Sequence, residues 1–331
     1  MTTKEKLIQL FEEHKGTYFS GEEMAQTLGV TRAAVWKAVK SLREEGYPID
    51  AATNKGYRLS EETDVLSAQG VRHYLAGMAR NLELCVLPTV PSTNTLVRER
   101  ANQGAPEGLV VLAGSQSDGR GRYGRSFYSP SETGLYLSLL LRPKNWTPQD
   151  AVRLTTMAAV ALCESVQAMG VKEVGIKWVN DIFVQGKKAC GILTEASFGM
   201  ESGLLEYAVV GIGINVYPPK EGFPEELKDI AGAMFPHPGA DRKNRLAAEF
   251  LNRMMDAYAH SEESAYIDRY REYSLVLGKT VLVLSSEGEK EAKVLGIDDR
   301  CRLLVAYPDG TEDCLSYGEI RIQMDDRGGQ R

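Results

Sequence analysis

The chain has 331 residues, of which 43% are hydrophobic and 25% charged, and its formal net charge is −6. This composition is typical of a globular protein and excludes a disordered chain, and the apolar runs are far shorter than the roughly 20 residues of a membrane span. The five cysteines show no Cys-x-x-Cys spacing and the N-terminus shows no secretory apolar stretch, so we expect no zinc cluster, no disulfide framework, no membrane partner and a cytoplasmic location.

The first residues predict three helices. An amphipathic helix is expected over Thr3–Glu13. Ser20 and Glu23 are spaced as a capping box for a second helix that ends at Gly29, and Thr31 can cap a third helix. The third helix carries a buried stripe at helical spacing, formed by Val35, Val39 and Leu42.

The two strands that follow complete a winged helix. They run over Tyr47–Ala51 and Tyr57–Leu59, with a turn at residues 54–56 between them. Two helices joined by a short turn and followed by a hairpin are typical of a DNA-binding domain, which we predict to span residues 1–64. Residues 60–69 are polar and acidic, which indicates a linker or a domain boundary.

The charge of this domain is one-sided. No acidic residue lies between Thr31 and Arg43, although the whole chain is acidic. The helix-turn-helix from Gly21 to Lys40 and the wing therefore present cations that can neutralise DNA phosphates, namely Arg32, Lys37, Lys40, Lys55 and Arg58. A helical interaction module with a solvated basic face is the alternative. Trp36 lies off the buried stripe and either faces DNA or packs on the wing.

Mixed strands and helices follow from residue 65 to residue 272. Strands are expected at 82–88, 109–113, 134–141, 174–178, 181–184, 189–196 and 205–216, and helices after Ser92, over Ala151–Met169 and over most of Arg245–Tyr273. Several strands succeed one another as hairpins, so we predict an α+β domain with a mixed or antiparallel sheet. Residues 273–331 contain short strands and Gly/Asp turns, which predict a small barrel with a frayed tail over the last nine residues.

A cationic loop separates two of the central strands. Its sequence, GRGRYGR over Gly119–Arg125, matches G-x-G-x-x-G, but a strand rather than a helix follows, so a dinucleotide-binding fold is disfavoured. Three arginines and three glycines favour a flexible loop that clamps phosphates, against the alternative of an ordinary solvated loop. Gly211 and Gly213 lie in one strand, which indicates that a ligand or a backbone passes close to them.

The order of several short motifs carries a resemblance to a known family. The motifs are Ser92-Thr93-Asn94, Gln116, GRGRYGR, KWVND at 177–181, KKACGIL at 187–193 and GIGIN at 211–215. In this combination the chain resembles the biotin–protein ligases, within the biotin/lipoate ligase superfamily. Its winged helix makes it similar to the bifunctional type that is also the biotin operon repressor.

The resemblance implies a fold, a reaction and partners. It implies a central catalytic domain like that of biotin/lipoate ligases and a C-terminal SH3-like small β-barrel. The enzyme would join biotin and ATP, with Mg²⁺ on the phosphates, to make biotinyl-5′-AMP and pyrophosphate, and would then transfer biotin to one lysine of a biotin carboxyl carrier protein. The adenylate would also promote a homodimer that represses biotin genes by binding palindromic operator DNA.

The same resemblance implies roles at the reacting groups. Lys188 would stabilise charge between the biotin carboxylate and the α-phosphate, and the loop residues Arg120, Gly121 and Arg122 would close over biotin and the adenylate. The biotin head group would be bound by Ser92, Thr93, Asn94 and Gln116.

The resemblance also implies which residues lie near the adenylate and its metal ion. By resemblance, Phe127 fits an aromatic wall, and Asn180 and Asn215 match positions near the adenylate. Asp181 either helps to hold Mg²⁺ or only fixes its turn. Cys190 lies beside Lys188, and we expect a small buried residue there rather than a nucleophile.

Two other functions compete with this interpretation. One is a lipoate–protein ligase or octanoyltransferase, against which the cationic loop, KWVND and the winged helix all weigh. The other is a DNA-binding biotin sensor without catalysis, against which Lys188 and the intact arginine loop weigh.

Overall fold

The N-terminal part forms three helices and a two-stranded hairpin in the computed structural model, which describes residues 1–261, 265–285, 288–316 and 318–322. The helices are α1 (Thr3–Glu13), α2 (Gly21–Leu28) and α3 (Arg32–Glu44). The hairpin pairs β1 (Ile49–Ala52) with β2 (Gly56–Leu59) in antiparallel register. The predicted helix-turn-helix and its wing are therefore confirmed.

Local sequence signals begin and end these helices as expected. Ser20 and Glu23 form the capping box of α2, and the Thr31 side chain accepts a hydrogen bond from the backbone of Ala34 at the start of α3. Gly29 ends α2 with a φ of 66°, a left-handed conformation that glycine adopts without strain. The domain buries its own apolar core, which includes Leu7, Phe11, Met24, Val35, Val39, Leu42 and Leu59.

The central part is built on a seven-stranded sheet. Its strands are β3 (Glu83–Val90), β4 (Leu109–Gln116), β5 (Gly134–Leu141), β6 (Val174–Lys177), β7 (Asp181–Val184), β8 (Lys187–Phe198) and β9 (Leu205–Asn215). They lie in the order β3-β4-β5-β9-β8-β7-β6. The β3–β4 pair is parallel and the other neighbouring pairs are antiparallel, so the prediction of a mixed sheet is confirmed.

Five helices accompany this sheet, namely α4 (Ala68–Tyr74), α5 (Thr93–Asn102), α6 (Ala151–Ala168), α7 (Arg242–Ala259) and α8 (Ala265–Glu272). Every residue of β5 is buried, so this strand is the centre of the domain. The apolar side chains of α6 pack on the sheet, and three of them are completely buried: Leu154, Met157 and Leu162. Within the described residues no helix is both long and apolar enough to cross a membrane.

A five-stranded antiparallel sheet follows. Its strands are β10 (Thr280–Ser285), β11 (Gly288–Ile297), β12 (Leu303–Ala306), β13 (Glu312–Leu315) and β14 (Glu319–Ile322), in the order β13-β12-β11-β10-β14. The indole nitrogen of Trp178 donates to the carbonyl of Cys301 at 2.9 Å, which ties this sheet to the central domain. The tail predicted to fray, residues 323–331, lies outside the described residues.

Residues 60–69 are packed rather than a free linker, which corrects the simplest interpretation of their polarity. Thr63 and Ser67 are buried, and Ser67 is the N-cap of α4. Asp64 accepts hydrogen bonds from the Tyr217 hydroxyl at 2.6 Å and from the Lys243 backbone at 2.8 Å. Polar residues are compatible with burial here because the central domain supplies their hydrogen-bond partners.

A cluster of five polar side chains joins the winged helix to the central domain, and we call it the interdomain cluster. It consists of Glu12, Lys15, Ser67, Asp241 and Asn244. The Lys15 ammonium lies 2.6 Å from Glu12 and also pairs with Asp241, which is 226 residues away in the chain. Asn244 bonds both Asp241 and the backbone of Ser67. One lysine thus bridges carboxylates of two domains.

Candidate active site

One cavity collects nearly all the site residues that the sequence predicts. It lies between the strands β8 and β9, the cationic loop Gly119–Arg125 and the start of β14. The predicted residues that line it are Ser92, Thr93, Asn94, Gln116, Arg120, Gly121, Arg122, Phe127, Asn180, Asp181 and Lys188. Residues spread over almost one hundred positions of sequence are therefore neighbours in space.

The first turn of α5 supplies a polar end to this cavity. Ser92 is the N-cap of α5, and Ser92, Thr93 and Asn94 are each at most 4% exposed. The backbone N–H of Thr93 donates to Gln116 Oε1 at 2.9 Å, and the Thr93 hydroxyl oxygen lies 3.2 Å from the same atom. Gln116 in turn donates to the Ser129 hydroxyl at 3.0 Å. These fixed donors and acceptors suit a small polar ring system at this end of the cavity.

The paired glycines of β9 make room for side chains. A Cβ at Gly211 would lie 1.9 Å from Asn94 Oδ1, and a Cβ at Gly213 would lie 2.6 Å from the Phe127 ring. The sequence indicated a close ligand or backbone at these positions, and the close neighbours are instead the side chains of two site residues. Because these glycines have no Cβ, the side chains of Asn94 and Phe127 can approach the strand closely.

The cationic loop is anchored at its centre and at its C-terminal end. Arg122 donates to Asn180 Oδ1 at 3.0 Å, and Arg125 forms two hydrogen bonds of 2.7 Å with Glu319 of β14. Burial opposes ionisation of Glu319, but the Arg125 guanidinium outweighs it and lowers the pKa of this carboxyl. The loop contains only a single 3₁₀ turn over Arg122–Gly124, and the next regular element is the strand β5, as the argument against a dinucleotide-binding fold expected.

A lysine–carboxylate pair stands on the opposite wall. Lys188 Nζ lies 2.8 Å from Asp181 Oδ1, and Asn180 Nδ2 donates to the same oxygen at 3.1 Å. The Lys188 side chain remains 30% exposed, so its ammonium can reach an anion in the cavity. Lys177 lines the same wall, and burial lowers the pKa of its ammonium. Two lysines and the loop arginines make this cavity cationic.

Two predicted positions lie apart from the cavity lining. Asn215 ends β9 and uses its amide to donate to the Gly232 carbonyl at 2.9 Å. It therefore holds the segment after β9 rather than facing the cavity with the other residues. Cys190 is fully buried, and burial raises the pKa of its thiol well above the ordinary value. A thiol so protonated is a poor nucleophile.

Sequence reasoning missed several cavity residues. Glu319 and Ile320 come from β14, nearly 200 residues after the loop that they meet, and no local pattern signals that contact. Ser138, which lies beneath the cavity rather than in its lining, is also unforeseen, because its place in the apolar strand β5 looks like an ordinary core position. Its hydroxyl oxygen lies 2.7 Å from the Thr93 hydroxyl and 2.6 Å from Asn94 Oδ1.

The basic face of the winged helix is solvent-exposed. Arg32 and Lys40 make only long ion pairs with neighbouring carboxylates, at 3.6 and 4.0 Å, and Arg58 pairs with Asp50 at 2.9 Å. Trp36 is 56% exposed, and the Lys40 ammonium lies 5.8 Å from its ring centroid. Of the two alternatives for Trp36, this exposure favours an indole that faces DNA over one that packs on the wing.

These features together define a class of protein, a DNA-binding domain fused to a ligase of the biotin/lipoate type. Three family models match successive parts of the chain: an HTH domain at residues 3–58, the biotin/lipoate A/B protein ligase family at residues 86–215, and the biotin protein ligase C terminal domain at residues 276–321. The three matches follow one another in the same order as the winged helix, the mixed sheet and the final sheet.

Whole-length relatives narrow this class to one family. The bifunctional ligase/repressor BirA of Bacillus subtilis is 35% identical over 95% of this chain and 97% of its own length. That of Escherichia coli is 29% identical over 96% of each chain. A biotin protein ligase from Aquifex aeolicus, solved with biotin and ATP, matches 73% of this chain and 98% of its own with a TM-score of 0.61 and 27% identity. The chain belongs to the family of bifunctional ligase/repressors.

Proposed function

We propose that the chain activates biotin with ATP to biotinyl-5′-AMP, releasing pyrophosphate, and transfers the biotinyl group to one lysine of a biotin carboxyl carrier protein. The observation that carries this proposal is the cationic cavity, whose lining combines the polar terminus of α5 with Lys188. The full-length match to bifunctional ligase/repressors supports it, as does the likeness to a ligase solved with biotin and ATP.

The chemistry requires a carboxylate to attack the α-phosphorus of ATP. Both groups are anionic, so cations must offset their repulsion as the new bond forms. Lys188 is positioned for this role because its ammonium is already paired with a carboxylate, Asp181, at the cavity wall. Arg120 and Arg122 would add charge from the loop, and loop closure would shield the mixed anhydride from water.

Substrate positions follow from the two ends of the cavity. The biotin head group would lie at the α5 terminus, against Ser92, Thr93, Asn94 and Gln116, with Gly121 of the loop above it. The adenylate would lie toward Asn180 and the ring of Phe127. Asn215 would act from outside the lining by holding the segment after β9.

Mg²⁺ fits this site as an ion carried by the nucleotide. The described residues contain no group of three or more His, Cys, Asp or Glu side chains that could hold a metal. Asp181 is one carboxylate beside the reacting groups, and Mg²⁺ commonly binds one or two carboxylates together with substrate phosphates. Bound there, the ion would neutralise phosphate charge, and Asp181 also fixes its turn through Asn180.

The same chain would act as a biotin-responsive repressor. The adenylate would promote a homodimer, and a dimer with two basic α3 helices would bind a palindromic operator in adjacent major grooves. The exposed cations of α3 and the wing support this role. We further propose that the C-terminal sheet is an SH3-like barrel that helps to hold the loop, because Glu319 pairs with Arg125.

Three domains would divide the chain at residues 1–64, 65–272 and 273–331. The first boundary falls between β2 and α4, and the second between α8 and β10. The cytoplasm remains the proposed location, in keeping with five free cysteines.

One experiment tests the enzyme directly. The full-length chain is incubated with ATP, Mg²⁺, biotin and a carrier domain, and biotinylation of the carrier is followed by streptavidin blot. Carrier biotinylation is expected, and lipoate in place of biotin should give no product. Lipoylation without biotinylation would overturn the proposal. A gel shift against selected operator DNA, with and without biotin and ATP, tests repression.

A further inference from the structure

Two acceptors face the amide nitrogen of Asn94 and fix which way this side chain points. Asn94 Nδ2 donates to Glu195 Oε2 at 2.8 Å and to the backbone carbonyl of Leu193 at 3.2 Å. A carboxylate and a carbonyl can only accept hydrogen bonds. Turning the amide by 180° would therefore place its oxygen against two other oxygens.

The amide oxygen of Asn94 consequently points to the other side. There it accepts a hydrogen bond from the Ser138 hydroxyl at 2.6 Å and lies against Gly211. Asn94 and Gly211 both line the cavity. An amide oxygen has two lone pairs, and Ser138 uses one of them, so the second can accept from a ligand N–H.

Glu195 also pairs with a cation at the surface. Arg98, one turn after Asn94 on α5, donates to Glu195 Oε1 at 3.0 Å. The Glu195 side chain is 27% exposed and the Arg98 side chain 38% exposed. The chain Arg98–Glu195–Asn94–Ser138 therefore runs from the surface to a fully buried hydroxyl beneath the cavity.

We infer that Glu195 is a positioning residue that fixes Asn94 as a hydrogen-bond acceptor in the cavity and so selects a cyclic urea over a dithiolane. The inference rests on the proposed ligase function. A urea ring carries N–H donors, whereas a dithiolane ring carries none. A site built around a buried acceptor discriminates against a ligand without the donor, because the acceptor then loses its hydrogen bond to water and gains none.

Four full-length proteins test this role: wild type, Glu195→Ala, Glu195→Gln and the matched control Arg98→Ala. Steady-state biotinylation gives KM for biotin and kcat at saturating ATP and carrier domain, and calorimetry gives the biotin Kd without ATP. Glu195→Ala should raise the biotin KM and Kd about tenfold, as expected for the loss of one buried hydrogen bond, with kcat within about twofold of wild type.

The two other variants separate orientation from charge. Arg98→Ala leaves the Glu195 carboxylate in contact with Asn94, so biotin affinity should stay near wild type. Glu195→Gln can still accept through its amide oxygen while Arg98 turns to solvent, so it should restore most of the affinity. The ratio of biotin to lipoate affinity should fall in Glu195→Ala alone.

Several outcomes would overturn the inference. One is an unchanged biotin KM in Glu195→Ala, and another is a Glu195→Gln protein as impaired as Glu195→Ala. A third is an equal loss of kcat and affinity accompanied by a lower Tm, which would make Glu195 merely structural. A wild-type chain that biotinylates no carrier would instead refute the proposed function, so the two failures are distinguishable.

Discussion

Lys187 and Lys188 are neighbours in β8 with different surroundings. Lys188 pairs with Asp181 at the cavity wall, whereas Lys187 donates to the backbone carbonyl of Lys228 at 2.8 Å. Adjacent residues of a strand point to opposite faces, which explains why only one of the two lines this cavity. The pair therefore offers a comparison at constant charge and nearly constant position.

Lys188→Ala should reduce adenylate synthesis by about a hundredfold or more, because it removes a cation from the developing charge. Lys187→Ala should stay near wild type. Pyrophosphate release measures the first half-reaction, and thermal unfolding checks that both variants fold. Full adenylate synthesis by folded Lys188→Ala would remove Lys188 from the mechanism.

Single residues differ in how far the sequence could predict them. Asn94 and Lys188 belong to short contiguous motifs, so their neighbourhood in the cavity could be expected from the resemblance. Glu319 and Glu195 could not, since each reaches its partner across about a hundred residues or more. Such contacts depend on sheet order and on packing between domains, and neither leaves a periodic trace in the sequence.

Among whole elements, α3 combines a buried stripe with a basic exposed face. Val35, Val39 and Leu42 point into the domain, while Lys37 and Lys40 are exposed. The 3.6-residue period accounts for both faces at once, which is why this element could be predicted closely. Exposed cations bind DNA by displacing counterions from phosphates, so their contribution depends on salt.

Lys37→Ala should weaken operator binding at low salt and reduce the slope of log K against log salt by about 1. Binding titrations at several salt concentrations measure this slope. Lys144→Ala, an exposed lysine of the central domain, removes the same charge and should leave the slope unchanged. Identical slopes in all three proteins would place the DNA elsewhere on the molecule.

The helix α1 carries a buried acid at its domain boundary. Burial raises the pKa of Glu12 above its ordinary value of 4.5, although Lys15 opposes the shift. A raised pKa means that the folded state favours the neutral form, so stability present at low pH is lost as the pH rises through the folded pKa. Ionised Glu12 is therefore a net cost to the folded state, although it pairs with Lys15.

Glu12→Gln should raise Tm relative to wild type at pH 7 to 8, because it removes the ionised form from a buried position. The difference should shrink as the pH is lowered, because the raised pKa lets the wild-type Glu12 carboxyl gain its proton before an ordinary carboxyl does. Glu13→Gln, the same change at an exposed neighbour, should show no such trend. Thermal unfolding across this pH range makes the comparison, and parallel curves for both variants would contradict it.

Across the whole molecule, the winged helix and the central domain share more than a covalent link. Lys15 reaches Asp241, and Asp64 is held by Tyr217 and Lys243. The order of the parts could be predicted from motifs and composition, but this docking could not, because its members look like ordinary surface polar residues in the sequence. Their burial appears only once α1 and α7 are both packed against α4.

Deleting residues 1–64 should abolish operator binding and leave some carrier biotinylation. The deletion removes Asp64, which accepts a hydrogen bond from the Tyr217 hydroxyl. Tyr217 lies two residues after Asn215, the last residue of β9, so biotin affinity should fall severalfold. Gel shift and biotin titration measure the two effects. Restoring only residues 60–64 should recover part of the affinity, and an undiminished affinity in the deletion would show that the domains act independently.

The ion pair between Lys15 and Asp241 also affects how a ligase of this family could lose its N-terminal winged helix. Asp241 is 5% exposed, and its nearest cation belongs to the winged helix. A ligase that lost the winged helix would keep the Asp241 carboxylate in a partly buried position without its counter-ion, and this would lower the stability of the folded state. Loss of the winged helix would then have to be accompanied by a substitution of Asp241. Ligases without the DNA-binding domain should accordingly carry a neutral side chain at this position, a signature that can be sought in their sequences.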